Sequence, residues 1–150
     1  MAEFSLKKNS ILSRGDMYEI STNIANFHNV FPEYFKSIKI TSQNDKTITA
    51  FETINFLGLK INVKTRHEIF EPHIHNVYIL SGPLKGTSFF ERYESDSQRT
   101  RIEIKINLKL NKILSIIPYF PQLMLKRMDR VFGEFILAAE DSFEKSILSK

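Results

Sequence analysis

Residues 47–70, TITAFETINFLGLKINVKTRHEIF, contain two strand-like runs whose pairing the sequence itself fixes. Both halves alternate apolar and polar side chains with a period of two, which is typical of strands with one buried face. Leu57 and Gly58 separate the halves, and a two-residue hairpin loop there fixes the pairing register. That register predicts four inward pairs, which are Ile54–Ile61, Glu52–Val63, Ala50–Thr65 and Ile48–His67.

Glu52 and His67 are the two polar side chains on this predicted inner face. A buried carboxylate is costly unless it is hydrogen-bonded or paired, so Glu52 could orient a polar ligand group or act as a general acid or base. A bulge in the hairpin or a wet sheet margin would instead leave Glu52 without a function. The pairs of Glu52 and His67 lie four residues apart, about 13 Å at 3.3 Å per residue, which predicts no direct contact. We therefore interpret His67 as a satisfied core histidine.

Outward from this hairpin, the same alternation and the helical period predict the remaining elements. Asp16, with Glu19 three residues later, has the spacing of a helix N-cap. Pro118 and Pro121 separate the last strand from a long amphipathic helix. Strands are expected at 4–12, around Ile38 and Ile40, and at 74–81, 87–94 and 99–110, and helices at 16–25, 29–35 and 122–148.

Length and composition predict one domain over residues 1–150, with a net charge of +4 and no cysteine. The N-terminal residues lack the pattern of a secretory signal, so we expect a cytoplasmic protein. No phosphate-binding loop, nucleophile elbow or dinucleotide fingerprint is present, and we expect no cofactor. His73 and His75 form an H-x-H that could bind zinc, but no third ligand has a helpful spacing. We therefore expect surface histidines and no metal site.

Two further stretches carry a resemblance to a known family. TNIANFHNVFPEYFKSIKI (22–40) resembles an "Asp-Ile-x-x-Tyr-Pro-x-Phe-x-Pro" region, although Asn23 replaces the aspartate. Leu80 to Phe90 resembles a "Gly-Pro-Phe-x-x-Leu-x-Gly-x-Trp-x-Phe" hairpin, although Ser88 replaces the tryptophan. Together with the element order, these motifs are similar to those of the START/polyketide-cyclase/birch-pollen-allergen superfamily. Within it, the chain most resembles the coenzyme Q-binding and ribosome-association-toxin group.

The resemblance implies an α+β helix-grip fold, in which a curved seven-stranded antiparallel sheet wraps around a long C-terminal helix and two short helices follow strand 1. It also implies a cavity between sheet and helix for a hydrophobic small molecule such as an isoprenoid quinone or a lipid. The sequence alone does not assign which of Tyr78, Glu91, Arg92 and Tyr93 face that cavity. The candidate ligand-binding residues are Phe31, Ile48, Glu52, Ile54, Val63, Thr65, His67, Tyr78, Phe90, Tyr93, Ile104, Ile106, Met124, Met128, Phe132 and Phe135.

Two alternative functions follow from the same resemblance. The first is a polyketide cyclase or dehydratase type of enzyme, for which Glu52 is the catalytic candidate; we expect binding rather than catalysis. The second is a toxin-like module that contacts ribosomal RNA through a basic region. That region, residues 99–130, holds eight Lys and Arg residues against Glu103 and Asp129.

The link before the long helix predicts a peripheral membrane contact. Residues 113–125 are too short for a membrane span and are broken by two prolines. Their apolar side chains, including Ile117 and Phe120, are flanked by Lys112, Lys126 and Arg127. An apolar tip with a basic collar suits an anionic lipid surface, where an apolar ligand could be exchanged. The alternative is that this link closes the core. The sequence does not indicate the oligomeric state.

Overall fold

A computed structural model describes residues 2–149 of the chain. Within them, seven strands and four α-helices are formed, with a short 3-10 turn (Ile24–Asn26) between the first two helices. In chain order these elements are β1 (Ala2–Ser10), α1 (Arg14–Thr22), α2 (Phe27–Val30), β2 (Phe35–Gln43), β3 (Thr47–Phe56), β4 (Leu59–Phe70), β5 (Ile74–Ile79), β6 (Ser88–Asp96), β7 (Arg99–Leu108), α3 (Lys112–Ser115) and α4 (Phe120–Leu148).

The strands form one antiparallel sheet in the order β1-β7-β6-β5-β4-β3-β2. The sheet, the two short helices after β1 and the long α4 confirm the predicted helix-grip fold. The register predicted for the β3–β4 hairpin is also confirmed, including the Glu52–Val63 and Ile48–His67 pairs. Leu57 and Gly58 both have positive φ, 52° and 90°, as a two-residue turn of the I′ kind requires.

Several element boundaries differ from the sequence prediction because local capping decides them. Helix α1 begins at Arg14, not Asp16, since the Ser13 hydroxyl accepts a hydrogen bond from the Asp16 amide at 3.3 Å. The second short helix covers Phe27–Val30, and Phe35 already belongs to β2. Helix α4 begins at Phe120, because Pro121 occupies the first turn, where no amide hydrogen is needed.

Helix α4 packs across the concave face of the sheet and forms most of the core with it. Its buried side chains Met124, Met128 and Ile136 join Ile102 and Ile104 of β7 in one cluster. A second cluster of Ile24, Phe27, Ile48 and Ala50 lies where the short helices meet β3. The space between helix and sheet that neither cluster fills is the cavity described below.

Two polar contacts join α4 to the edge strand β1. The Glu140 carboxylate accepts hydrogen bonds from the Ser10 hydroxyl at 2.8 Å and from the Ile11 amide at 2.9 Å. Lys8 pairs with Asp129, which lies nearer the start of the helix. These contacts fix where the helix lies along the sheet.

No helix within residues 2–149 combines the length and the apolar composition needed to cross a membrane.

Candidate functional site

A cavity of about 160 Å³ lies between the concave sheet face and α4. Its lining is mostly apolar, with Ile54, Val63 and Ile104 from the sheet and Met128 and Phe135 from the helix. Leu57 lines it as well and is 40% exposed, so the cavity opens beside the β3–β4 turn. A pocket of this size in an apolar setting suits a small apolar molecule or the ring of a larger one.

The opening lies at one defined end of the sheet. Because neighbouring strands are antiparallel, the β3–β4, β5–β6 and β7–α3 connections all leave the sheet at the same end. The first turns of α4 reach this end too, and Met124 and Arg127 line the cavity there. We call it the mouth end.

One part of the cavity wall is polar. Inward-facing positions of the four adjacent strands β3, β4, β5 and β6 bring six hydrogen-bonding side chains into a continuous row. All six are at most 8% exposed. We call them the polar row: Glu52, Thr65, His67, His75, Glu91 and Tyr93.

Glu52, Thr65 and His67 form the first part of the polar row. One carboxylate oxygen of Glu52, Oε2, accepts a short hydrogen bond from the Thr65 hydroxyl. The same oxygen lies 3.1 Å from Nε2 of His67, and that nitrogen is also 3.1 Å from Oγ1 of Thr65. The carboxylate that the sequence left unpaired is therefore held by two neighbours.

The direct contact between Glu52 and His67 corrects our sequence prediction that about 13 Å separates them. That distance measures position along a flat strand and ignores the reach of the side chains. Both side chains extend several ångströms from the backbone, and they point toward each other over the small Thr65 on the concave side of a bent sheet.

The second part of the polar row continues through a pair of histidines. Nδ1 of His67 lies 2.9 Å from Nε2 of His75, and the two rings are stacked with an interplanar angle of 17°. Nδ1 of His75 lies 3.1 Å from Oε1 of Glu91. The Tyr93 hydroxyl donates to the same Glu91 oxygen at 2.6 Å. A hydrogen-bonded path thus connects Glu52 with Tyr93.

Burial sets the acid–base character of this wall. Loss of water lowers the pKa of His67, and the hydrogen bond and charge of Glu52 oppose that shift only in part. Burial also raises the pKa of Tyr93 well above its usual value, and the Glu91 carboxylate raises it further. Both shifts disfavour new charge in the polar row.

Two hydrogen-bond donors in the cavity wall have no partner among residues 2–149. The Ser21 hydroxyl on α1 belongs to a residue that is 3% exposed; it lies close enough to the Tyr93 hydroxyl to lower the pKa of that group, but its geometry makes no hydrogen bond with any described residue. Nε of Arg127 on α4 is buried and equally unpaired. Buried polar groups in folded proteins normally have partners, so both atoms point to a ligand or water in the cavity.

Eleven of the sixteen predicted ligand-binding residues line the cavity. They are Glu52, Ile54, Val63, Thr65, His67, Tyr93, Ile104, Met124, Met128, Phe132 and Phe135. The alternation of β3, β4 and β7 and the period of α4 were sufficient to place them. Whether they bind a ligand stays a prediction.

The other five predicted residues do not line the cavity, and these placements were wrong. Tyr78 lies on the outer sheet face, where the Arg66 guanidinium is 4.6 Å from its ring centroid, and Phe90 packs against it there. Phe31 stacks on Tyr34 behind the cavity wall. Ile106 packs in the larger core cluster between sheet and α4, and Ile48 packs in the second cluster beside the short helices.

The structure also settles the residues whose face the sequence left open. Glu91 and Tyr93 point inward with Phe89, so Phe89 takes the place expected for Phe90. His75 is 2% exposed and belongs to the polar row, which overturns its interpretation as a surface histidine. Strand β5 reads IHNVYI and has apolar residues on both faces, so no alternation indicates which face is buried. The signal that could have found His75 is its directly opposed partner Glu91.

Within residues 2–149, no group of three or more metal-ligating side chains has an arrangement that could hold a metal ion.

Neither a protein-family model nor a curated protein sequence matches this chain. Solved structures do match it over nearly its whole length. The Zhui aromatase/cyclase from Streptomyces sp. R1128 has a TM-score of 0.77 at 10% identity, with 93% of each chain covered. Ara h 8.0201 has a TM-score of 0.72 at 15% identity, with 99% of each chain covered.

A protein from Thermus thermophilus has a TM-score of 0.70 at 13% identity, with 99% of this chain and 98% of that chain covered. At such low identities these matches show a shared fold and no more. They agree with the helix-grip fold that the sequence resemblance implied. They do not reach the coenzyme Q-binding group.

Proposed function

We propose that the protein binds a small hydrophobic molecule, of an isoprenoid-quinone or lipid-like kind, in the cavity between sheet and α4. The observation that carries the proposal is an apolar cavity, open at the mouth end, whose polar groups are confined to one wall. An apolar body would bury against the methionines and phenylalanines, while a polar head would satisfy Ser21 and Arg127.

Filling the cavity tests this proposal. The naphthalene dye 1-anilinonaphthalene-8-sulfonate should fluoresce when bound by the wild type, and quinones or fatty acids should displace it. Met128→Trp places a large ring in the cavity and should abolish dye binding. Leu137→Trp is the control, because Leu137 is on the same helix and 67% exposed. Dye binding that survives Met128→Trp unchanged would show that the cavity is not the site.

An enzymatic role similar to that of a cyclase is the second candidate, and the polar row is the specific observation that favours it. An apolar carrier needs no chain of four ionisable side chains and a tyrosine in its wall, and burying them costs free energy. The fold is also that of an aromatase/cyclase.

We further propose that the ligand enters and leaves at an anionic membrane surface, which the mouth end contacts. Exposed apolar side chains gather there, including Leu59 (69% exposed) on the β3–β4 hairpin and Ile116 (79%) and Tyr119 (81%) on the link before α4. Exposed cations surround them, namely Lys60, Lys85, Lys109, Lys112 and Lys126. Apolar anchors within a basic collar favour lipid over RNA, whose backbone offers nothing to isoleucine or leucine.

Vesicle sedimentation tests the membrane proposal. The wild type should bind vesicles that contain phosphatidylglycerol more tightly than vesicles of phosphatidylcholine alone. Ile116→Ser combined with Tyr119→Ser should weaken that binding, while Leu148→Ser should not, because Leu148 is as exposed but lies at the other end of α4. Phe120, which we expected to be part of the tip, is 9% exposed and is excluded from the test because its loss would perturb the core. Absence of wild-type binding to either vesicle would refute the proposal.

A further inference from the structure

The polar row contains three close contacts that each need a proton if they are to be hydrogen bonds. Its three nitrogen contacts, Glu52–His67, His67–His75 and His75–Glu91, are 2.9 to 3.1 Å long. Each is a hydrogen bond only if one of the two facing atoms carries a proton, so the three contacts require three protons. Neutral His67 and His75 provide two of them. When both imidazoles are neutral, a third hydrogen bond therefore requires a proton on one of the two carboxyl groups.

This proton can occupy either end of the row. In one arrangement Glu91 donates to His75, His75 donates to His67, and His67 donates to an ionised Glu52. In the other arrangement Glu52 donates to His67, because each of the three protons has crossed its own contact toward Glu52, which leaves Glu91 ionised. The two arrangements keep the same contacts and the same net charge, and differ only in which carboxyl is ionised.

Glu52 is the end of this row that a ligand can meet together with a cation. The contacts to Thr65 and His67 both use Oε2 of Glu52, and within residues 2–149 no hydrogen bond uses Oε1. Glu52, Tyr34 and Arg127 all line the cavity. Nε of Arg127 is unpaired. A free carboxylate oxygen and an unpaired donor therefore face the same apolar space.

We propose that the cavity is a general acid–base site for an apolar ketone, with Glu52 as the catalytic group and His67, His75 and Glu91 as its proton relay. The substrate class follows from the two unpaired groups. Nε of Arg127 fits a carbonyl oxygen, and Oε1 of Glu52 fits an acidic hydrogen on the adjacent carbon. This inference rests on the proposed function, because the substrate occupies the same cavity.

The proton transfer balances within the chain. The C–H bond next to the carbonyl breaks, and its proton forms an O–H bond with Oε1 of Glu52. The electron pair forms a C=C bond, and the negative charge moves to the carbonyl oxygen beside Arg127. If Glu52 already carries the shared proton on Oε2, that proton passes to Nε2 of His67.

The proton on Nδ1 of His67 then passes to Nε2 of His75. The proton on Nδ1 of His75 passes to Oε1 of Glu91 and neutralises that carboxylate. The reverse sequence returns a proton to the same carbon or to a conjugated one. The net result is hydrogen exchange or isomerisation, and neither requires a co-reactant.

The test uses 2-indanone, an apolar ketone with acidic hydrogens next to its carbonyl. Its binding is measured first by displacement of the naphthalene dye, and its hydrogen–deuterium exchange in D₂O is then followed by NMR. The wild type should accelerate exchange over buffer, and Glu52→Gln should lower that rate roughly a hundredfold, as loss of a general base does. Glu68→Gln is the matched control, because Glu68 lies on β4 with His67 but faces outward near Tyr78.

The outcomes separate this inference from the proposed function. Binding of 2-indanone without faster exchange would refute the acid–base site and leave ligand binding standing. Equal exchange rates in the wild type and Glu52→Gln would refute the role of Glu52. If 2-indanone does not bind at millimolar concentration, the proposed substrate class fails, while displacement of the dye by quinones would still support the cavity as a binding site.

A second variant separates the relay from mere packing. His75→Gln cannot pass a proton between His67 and Glu91. We expect exchange to slow about tenfold while the dissociation constant for 2-indanone stays the same. The ¹⁵N shifts of the His67 imidazole should also lose their averaging between two tautomers. An unchanged exchange rate together with unchanged His67 shifts would overturn the relay.

Discussion

Tyr18 and Tyr93 meet edge to face beside the Glu91 end of the polar row, with their ring centroids 5.4 Å apart. The Tyr18 hydroxyl donates to the backbone carbonyl of Ile74 at 2.8 Å, so each of the two phenols has an acceptor. Burial raises the pKa of Tyr18 to about 12, helped by Glu71 and Glu91, and raises the pKa of Tyr93 well above its usual range. The folded protein thus keeps both protons where an unfolded chain would lose them.

These shifts predict a loss of stability in alkali. Above pH 10 the unfolded chain releases tyrosine protons that the folded state retains, so the free energy of unfolding falls as the pH rises from about 10 toward the folded pKa values. Tyr93→Phe should make the fall between pH 9 and pH 11 shallower in urea unfolding followed by circular dichroism. Tyr119→Phe, at a residue that is 81% exposed, should not. Equal slopes in the wild type and Tyr93→Phe would contradict the assignment.

The β5–β6 connection is the element whose backbone most restricts its sequence. Gly82 and Gly86 both adopt positive φ, 87° and 95°, and let the chain turn from one strand to the next beside the cavity mouth. A Cβ atom on Gly82 would also lie 3.1 Å from Cγ1 of Val63, a cavity-lining side chain. Conformation and space therefore both require glycine here.

Two glycine variants give opposite results in consequence. Gly82→Ala should destabilise the protein by about 1–2 kcal/mol, because alanine is strained at positive φ and crowds Val63. Gly15→Ala should be neutral or stabilising by up to about 1 kcal/mol, since Gly15 is helical and nothing lies within 4 Å of the added Cβ. Urea unfolding of both variants measures the difference. Similar effects of the two substitutions would show that the turn tolerates other residues.

At the scale of the whole molecule, Glu140 links α4 to the end of the edge strand β1. Its carboxylate accepts hydrogen bonds from the Ser10 hydroxyl and the Ile11 amide, and Ser10 is only 3% exposed. Glu140→Ala should lower the free energy of unfolding by about 1–3 kcal/mol, because it leaves a buried donor without a partner. Asp141→Ala removes only an exposed i,i+4 pair with Lys145 and should change stability by less than about 0.5 kcal/mol. A cost for Asp141→Ala as large as that for Glu140→Ala would refute this account.

The sequence correctly predicted the features that depend on a regular spacing of apolar residues. The register of β3 and β4 and the inner face of α4 follow from alternation and from a 3.6-residue repeat, so Glu52, Thr65, Met128 and Phe135 were placed correctly on the cavity wall. Strand β5 carries no such period, and His75 was therefore misplaced on the surface.

Contacts across strands were the main feature that the sequence did not reveal. Six residues of four strands share one hydrogen-bonded path, although they are up to 41 positions apart in the chain, from Glu52 to Tyr93. These contacts depend on the bend of the sheet and on the length of the side chains, and the sequence pattern of a single strand indicates neither. The unpaired Ser21 and Arg127 depend on the docking of separate helices and were equally hidden.

The pairing of β1 with β7 has a consequence for how the protein folds. Ala2 lies opposite Leu108, so the first strand can complete its ladder only after the chain has closed a loop of about a hundred residues. Contacts so distant in sequence slow folding, and α4, which covers the concave face, follows still later along the chain. During synthesis on the ribosome, all seven strands are made before α4, the helix that covers their apolar face. The apolar face of the sheet therefore stays uncovered until the last element of the chain has been made.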